Sequence, residues 1–293
     1  MTLTDAYCPI LVTGAAGLLG HDLGPHLQAA APDPAAVHLT DVADLDVTDA
    51  SAVAAAMARL RPRTVVNLAG WTDVDGAEDH ADAAFRLNAE APAVLARAAA
   101  GAGALLVHIS TDFVFDGTKA GPYVEADPPS PQGVYAQSKA EGETRVRAAA
   151  PDRHLIVRTA WLYGAGGGNF VDAVLARARA GEALRVVTDQ VGCPTWSADL
   201  ARALVAMLAT EVRGTVHACG AGEASRWDLA AEALRAAGLE AVPERITTAD
   251  LPPAAARPAR AVLACDRLAR ETGFRFPPWQ ESVRRYVRGE APG

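Results

Sequence analysis

Thr13-Gly14-Ala15-Ala16-Gly17-Leu18-Leu19-Gly20 sets glycines three apart directly behind the apolar run Pro9-Ile10-Leu11-Val12. Glycine at Gly14, Gly17 and Gly20 lets the backbone turn sharply and approach a neighbour with no Cβ in the way. A helix opening at this turn offers free N–H groups and the positive end of its dipole, which suits a diphosphate. Asp41 closes the next apolar stretch, 21 residues after Gly20. A carboxylate at that distance can accept from both ribose hydroxyls of a dinucleotide and would repel a 2′-phosphate. The pattern points to NADH or NADPH as cofactor, with NADH favoured by Asp41. An ordinary turn residue is the other reading of Asp41.

The rest of the first 160 residues alternates short apolar runs with longer helical patterns, the sequence form of a parallel α/β sheet. Strands are expected at Pro9–Thr13, Val37–Thr40, Thr64–Leu68, Ala104–Ile109 and Leu155–Arg158. Helices are expected from the glycine turn to about Ala30, from an Asp49 cap to Leu60, from Ala81 to Ala100 and from Val134 to Ala149. Beyond residue 160 the rhythm breaks into short helices and strands, a Gly164–Gly168 loop and a Pro-rich stretch from Pro252 to Pro258. The expected architecture is α/β: a Rossmann-type doubly wound parallel sheet in residues 1–160, with a smaller α/β portion in 161–293 that mainly binds substrate. Some later segments are free to return to the first domain.

The net charge of −8, from 27 basic and 35 acidic side chains, argues against nucleic acid or an anionic membrane as partner. Cys8, Cys193, Cys219 and Cys265 form no metal-binding spacing with the seven histidines. They read as buried thiols of a reducing compartment. With no basic-then-apolar leader and no long apolar run, the expected location is cytoplasmic.

Tyr135 and Lys139 are four residues apart in an expected helix, so both side chains lie on one face. Reduction of a carbonyl leaves an alkoxide that needs a proton. A tyrosine with an ordinary pKa of about 10 can give one if a nearby ammonium eases its loss. Ser110-Thr111-Asp112 lies 24 residues upstream at a strand end, where a hydroxyl can donate to the same carbonyl oxygen.

The glycine turn, the strand-end Ser-Thr and the YxxxK helix together resemble the extended short-chain dehydrogenase/reductases. The finer text is similar to the dTDP-4-dehydrorhamnose reductase family. The segments that match are Asp46–Asp49, Val74–Glu78, Ser110–Gly117, Val134–Lys139, Thr159–Gly164, Gly168–Val171, Asp189–Thr195 and Arg257-Pro258. The resemblance implies Thr111, Tyr135 and Lys139 as the catalytic trio. It implies a cofactor site of Gly14, Gly17, Leu18, Leu19, Gly20 and Asp41, with Asp46 and Val47 near the adenine. Gly70, Trp71 and Thr72 would line the dinucleotide, as would Tyr135 and Lys139.

On the substrate side the resemblance implies Thr111 and Asp112. It makes Trp161 an apolar wall against a sugar ring, for which a core aromatic is the other reading. Arg257, a planar fork of donors, is expected to grip the diphosphate of a nucleotide-sugar or polar groups near it, with a solvated surface arginine as the other reading. Some members of the family hold magnesium between acidic residues at a homodimer contact. Asp22 and Asp199 stand at comparable positions, and the plainer expectation is two exposed helix carboxylates with no metal.

The chain departs from the family at Gly70-Trp71 and at Arg260-Ala261. The second departure leaves a ketoreductase for another nucleotide-activated deoxysugar, such as one of an antibiotic pathway, as the alternative to a dTDP-4-keto-6-deoxy-sugar reductase making dTDP-L-rhamnose. A non-catalytic NAD(P)-binding subunit of a methionine adenosyltransferase is a second alternative, which the intact trio disfavours.

Overall fold

Apolar residues pack on both faces of the first strands, and that pattern requires helices on both sides of a sheet. The computed structural model describes residues 2–252 and 254–291 and shows this arrangement. Six strands form one parallel sheet: β1 (Ile10–Thr13), β2 (Val37–Thr40), β3 (Thr64–Asn67), β4 (Leu105–Thr111), β5 (His154–Thr159) and β6 (Gly214–His217). Their order across the sheet is β6-β5-β4-β3-β1-β2. The chain reverses direction of travel at β1, and such a switch point opens a crevice beyond the strands' carboxyl ends.

Side chains alternate strictly between the two faces. Ile10, Val12, Val66, Val107, Leu155 and Val157 pack with α1 (Leu18–Ala30). Leu11, Val65, Leu106 and Ile156 pack on the opposite face with α2 (Ala50–Leu60), α3 (Ala91–Gly101) and α4 (Gly133–Ala149). The Asp49 carboxylate caps α2 by accepting from the Ser51 and Ala52 N–H groups at 2.8 and 3.2 Å. Arg61, in a left-handed conformation at φ 45°, ends that helix before Pro62.

The helix expected from Ala81 to Ala100 is continuous but irregular. Ala81–Phe85 is α-helical, Arg86–Glu90 forms a π turn, and α3 follows. β4 runs two residues past its expected end, so Thr111 is its last residue, in register with Thr159 of β5.

Beyond residue 160 the chain serves both parts of the molecule. The helices α5 (Phe170–Arg179), α7 (Arg226–Ala236) and α8 (Trp279–Val287) share a separate core with Tyr163, Trp196 and Leu229. In contrast, α6 (Ser197–Ala209) packs against α1 and β6 completes the main sheet. Among the described residues no helix is long and apolar enough to cross a membrane.

Candidate active site

The parallel register brings Thr13, Thr40, Asn67, Thr111 and Thr159 to one edge of the sheet. Above that edge lies a cavity of about 970 Å³, walled on the far side by α5, α7 and Arg257. Sixteen of the seventeen residues expected in the site line it, from Gly14 and Asp41 at one end to Thr111, Tyr135, Trp161 and Arg257 at the other.

Trp71 is the exception. Its indole Nε1 donates to the Asp73 carbonyl at 2.7 Å and its ring leans on His80, 5.8 Å between centroids. Its backbone is pinned from the other side by Asn88, which accepts from the Trp71 N–H at 2.9 Å and donates to its carbonyl at 3.1 Å. With the backbone held that way, the large side chain turns outward while Gly70 and Thr72 face the cavity.

The glycine turn fits a dinucleotide. Gly14 has φ +68°, and a Cβ there would stand 2.6 Å from the Ala69 nitrogen. A Cβ on Gly20 would meet the Ala15 carbonyl oxygen at 2.3 Å, so α1 could not seat against the turn. No side chain caps α1 at Gly17, which leaves its first N–H groups for an anion. Asp41 secures the turn by accepting from the Ala16 N–H at 2.9 Å and the Val42 N–H at 2.8 Å.

Tyr135 and Lys139 project from one face of α4 beneath Thr111. Burial pushes the Tyr135 hydroxyl up to about 12, with Thr111 opposing that shift. The expectation that Lys139 lowers it is not met here, because the Lys139 ammonium is turned to the Ile109 carbonyl at 2.6 Å. Burial in turn brings Lys139 down to about 8, against the pull of Glu143. A proton donor that holds its proton this firmly gives it up to a base as strong as an alkoxide.

Thr111 caps the short turn after β4: its Oγ1 accepts from the Phe113 N–H at 3.2 Å and donates to Asp112 Oδ1 at 3.0 Å. The Asp112 carboxyl is enclosed, its Oδ2 has no partner among the described residues, and burial raises it to about 7. In its protonated form Asp112 can donate to Thr111 Oγ1 instead, which frees the Thr111 hydrogen for another acceptor.

Trp161 follows β5 in a left-handed conformation, φ 44°, rare for an aromatic residue and held by its surroundings. Gly192 gives it room, since a Cβ there would lie 2.5 Å from the indole. Trp161 lines the cavity, and the Arg226 guanidinium lies over one face of its indole, 3.7 Å from the centroid. Arg257 borders the cavity with both terminal nitrogens on Asp75, at 3.0 and 2.7 Å. Asp22 and Asp199 stand away from the cavity wall. Asp22 accepts from Ser197, and Asp199 is buried rather than exposed, accepting from Ser282 at 2.5 Å.

Two of the residues that sequence reasoning missed bear on the site's chemistry. Asn88, in the π turn, also donates to Ser138 Oγ at 3.0 Å, tying the loop after β3 to the catalytic helix. An asparagine in an Ala-rich helical run is a poor helix former and was the available signal. Arg226, the first residue of α7, carried no signal that set it apart from other arginines.

A glycine cradle at a switch point, sharing one cavity with a Thr, Tyr and Lys cluster, defines a reductase of the short-chain dehydrogenase type. The chain belongs to the family described as the RmlD substrate binding domain, which matches residues 8–291. A dTDP-4-dehydrorhamnose reductase of Streptomyces griseus is 44% identical over 243 residues, 81% of this chain and 79% of that one. A Streptomyces antibioticus protein described as a probable dTDP-4,6-dihydroxy-2-methyloxan-3-one 4-ketoreductase is 44% identical over 282 residues, 94% and 92% of the two chains. The crystal structure of the Bacillus anthracis dTDP-4-dehydrorhamnose reductase in complex with NADP has a TM-score of 0.91 at 32% identity, covering 99% of this chain and 100% of that chain.

Proposed function

We propose that this protein reduces the 4-keto group of a dTDP-4-keto-6-deoxy sugar, converting dTDP-4-dehydro-L-rhamnose to dTDP-L-rhamnose. The observation that carries this reading is the convergence of Thr111, Tyr135 and Lys139 on the cavity that also holds the glycine cradle. The Streptomyces griseus relative and the NADP complex of the Bacillus anthracis structure support it. NADH or NADPH supplies the hydride when bound, its diphosphate at Gly17, Leu18 and Leu19 and its adenosine end beside Asp41, Asp46 and Val47. Asp41 disfavours a 2′-phosphate, which makes NADH the preferred donor.

Within the chain, Thr111 orients the carbonyl, and Tyr135 delivers the proton to its oxygen. Lys139 is the cation beside that transfer. Asp112 and Trp161 border the sugar, and Arg257 stands at the substrate end. The portion of the chain after residue 160 covers this end of the cavity and binds the nucleotide-sugar. Cys219 and Cys265, unbridged with sulfurs 3.4 Å apart, fit the reducing environment of a cytoplasmic protein.

A panel of dTDP-4-keto sugars with NADH and NADPH, followed by product identification, tests the reading. Turnover of dTDP-4-dehydro-L-rhamnose above the other sugars is expected. A preference for a dideoxy sugar would instead favour the activity named for the Streptomyces antibioticus relative. Tyr135→Phe should lose about a hundredfold or more in kcat while NADH still binds. An unchanged kcat would remove Tyr135 as the proton donor.

A further inference from the structure

Three cations line the cavity: Lys139, Arg226 and Arg257. The Lys139 ammonium is committed to the Ile109 carbonyl, and the Arg257 fork is closed on Asp75. The Arg226 guanidinium alone among them has no hydrogen bond or ion pair with the described residues; what acts on it is burial, the Asp112 carboxyl and repulsion from Arg257. Its guanidinium is stacked on Trp161 at 3.7 Å and lies 5.2 Å from the Phe170 centroid. Stacking occupies the flat faces of a guanidinium and leaves its five N–H donors pointing outward in one plane.

A guanidinium held between aromatic rings without a counter-charge is costly unless a ligand brings the charge. Asp112, the nearest carboxyl, is raised to about 7 and is a poor counter-ion at neutral pH. Arg226 and Arg257 repel each other, and the Asp75 carboxylate is committed to Arg257, which leaves room for an anion carrying more than one charge. The planar donor edge of Arg226 matches the oxygens of a phosphate ester.

We propose that Arg226 is the residue that binds the diphosphate of the nucleotide-sugar, with Arg257, fixed by Asp75, beside it as a second positive group. The inference rests on the nucleotide-sugar reading and deepens it. It transfers the chief grip on the diphosphate from Arg257 to a residue that the family resemblance did not single out. It also makes the Trp161–Arg226 stack, in place of a bare indole, the surface that the sugar end meets.

A diphosphate reaches this cavity from either the nucleotide-sugar or the dinucleotide, and binding measurements separate the two. Calorimetric titration of dTDP and of thymidine into the NADPH-bound protein, and of NADPH into the free protein, is compared between wild type and Arg226→Met. Loss of a charge-assisted contact should weaken dTDP about tenfold to a hundredfold while thymidine and NADPH keep their affinities. Arg226→Lys, which retains the charge and loses the fork, should fall between the two.

Equal weakening of dTDP and thymidine would overturn the proposal, since it would reveal a loss of shape rather than of an anion contact. A loss confined to NADPH would overturn it in favour of the cofactor's diphosphate, and an unchanged dTDP affinity would remove Arg226 from the ligand altogether. A wild type that binds dTDP yet reduces none of the dTDP-4-keto sugars would sink the reductase reading alone, and the dTDP-to-thymidine comparison would still decide Arg226.

Discussion

Tyr135 and Lys139 share one helix face, yet burial moves them in opposite directions, the hydroxyl up to about 12 and the ammonium down to about 8. Both shifts have the same cause: a site drier than water penalises whichever form is charged. The pair therefore rests with both protons in place at neutral pH, as the proposed proton transfer requires. Asp41 makes a comparable point at the cofactor end. Its two oxygens already hold the Ala16 and Val42 N–H groups, which fixes the carboxylate at the mouth of the glycine turn. In the proposed reading it opposes a phosphate on the adenosine ribose by charge alone. We expect Asp41→Ala to raise NADPH affinity relative to NADH by roughly tenfold, and titration of both cofactors measures it. An unaltered NADH-to-NADPH ratio would take Asp41 off the ribose.

At the scale of elements, the π turn at Arg86–Glu90 does what an unbroken α-helix could not. The widened turn presents Asn88 to the loop after β3 and to Ser138 on α4 at once. The catalytic helix must then come very close, and Gly142 permits it: a Cβ there would lie 2.1 Å from the Asn88 carbonyl oxygen. Alanine is better than glycine in a helix by about 1 kcal/mol, so propensity alone predicts that Gly142→Ala stabilises. The clash is with backbone, which cannot swing aside, and overpacking of this kind costs about 1–3 kcal/mol. We expect Gly142→Ala to melt below wild type and to lose kcat as Asn88 and Lys139 shift. A thermal melt at or above wild type with unimpaired kcat would show that the contact is not restrictive.

Across the whole molecule, one buried ion pair joins the catalytic helix to the sheet. Arg158 on β5 donates from Nε and one terminal nitrogen to the two oxygens of Glu143 on α4, at 2.8 and 2.7 Å, with both side chains almost fully enclosed. Burial alone would raise the Glu143 carboxyl, but Arg158 holds it down at about 2. Its stabilising contribution is thus fully present above the ordinary glutamate value of 4.5 and lost progressively as the pH falls from there through about 2. Without Arg158 the enclosed Glu143 carboxylate keeps only the partly exposed Arg147, 3.1 Å away on its own helix, and breaking a buried pair in this way costs about 3–5 kcal/mol. Arg158→Met is expected to lose that much in urea unfolding at pH 7. Without the arginine, burial would push Glu143 upward, and a raised carboxyl favours the folded state at low pH and withdraws that support as pH rises. Part of the deficit should therefore be recovered at pH 5; an equal deficit at both values would mean that Glu143 stays ionised without Arg158.

The sequence by itself determined the parallel sheet, the glycine turn, the Asp49 cap and sixteen of the residues on the cavity wall. Each depends on local pattern: alternation along a strand, a one-turn offset on a helix, a glycine where no Cβ fits. Tertiary structure decided what those side chains touch. Asp75 and Arg257 are 182 residues apart in the chain, and only folding closes that fork. Arg226 meets Trp161 across 65 residues, Trp71 is turned outward by Asn88, and Lys139 gives one of its three donors to Ile109. Spacing sets which face of an element a residue occupies. Which of several donors meets a given acceptor depends on how separate elements pack, and packing brings together residues whose separation in sequence carries no signal of their contact.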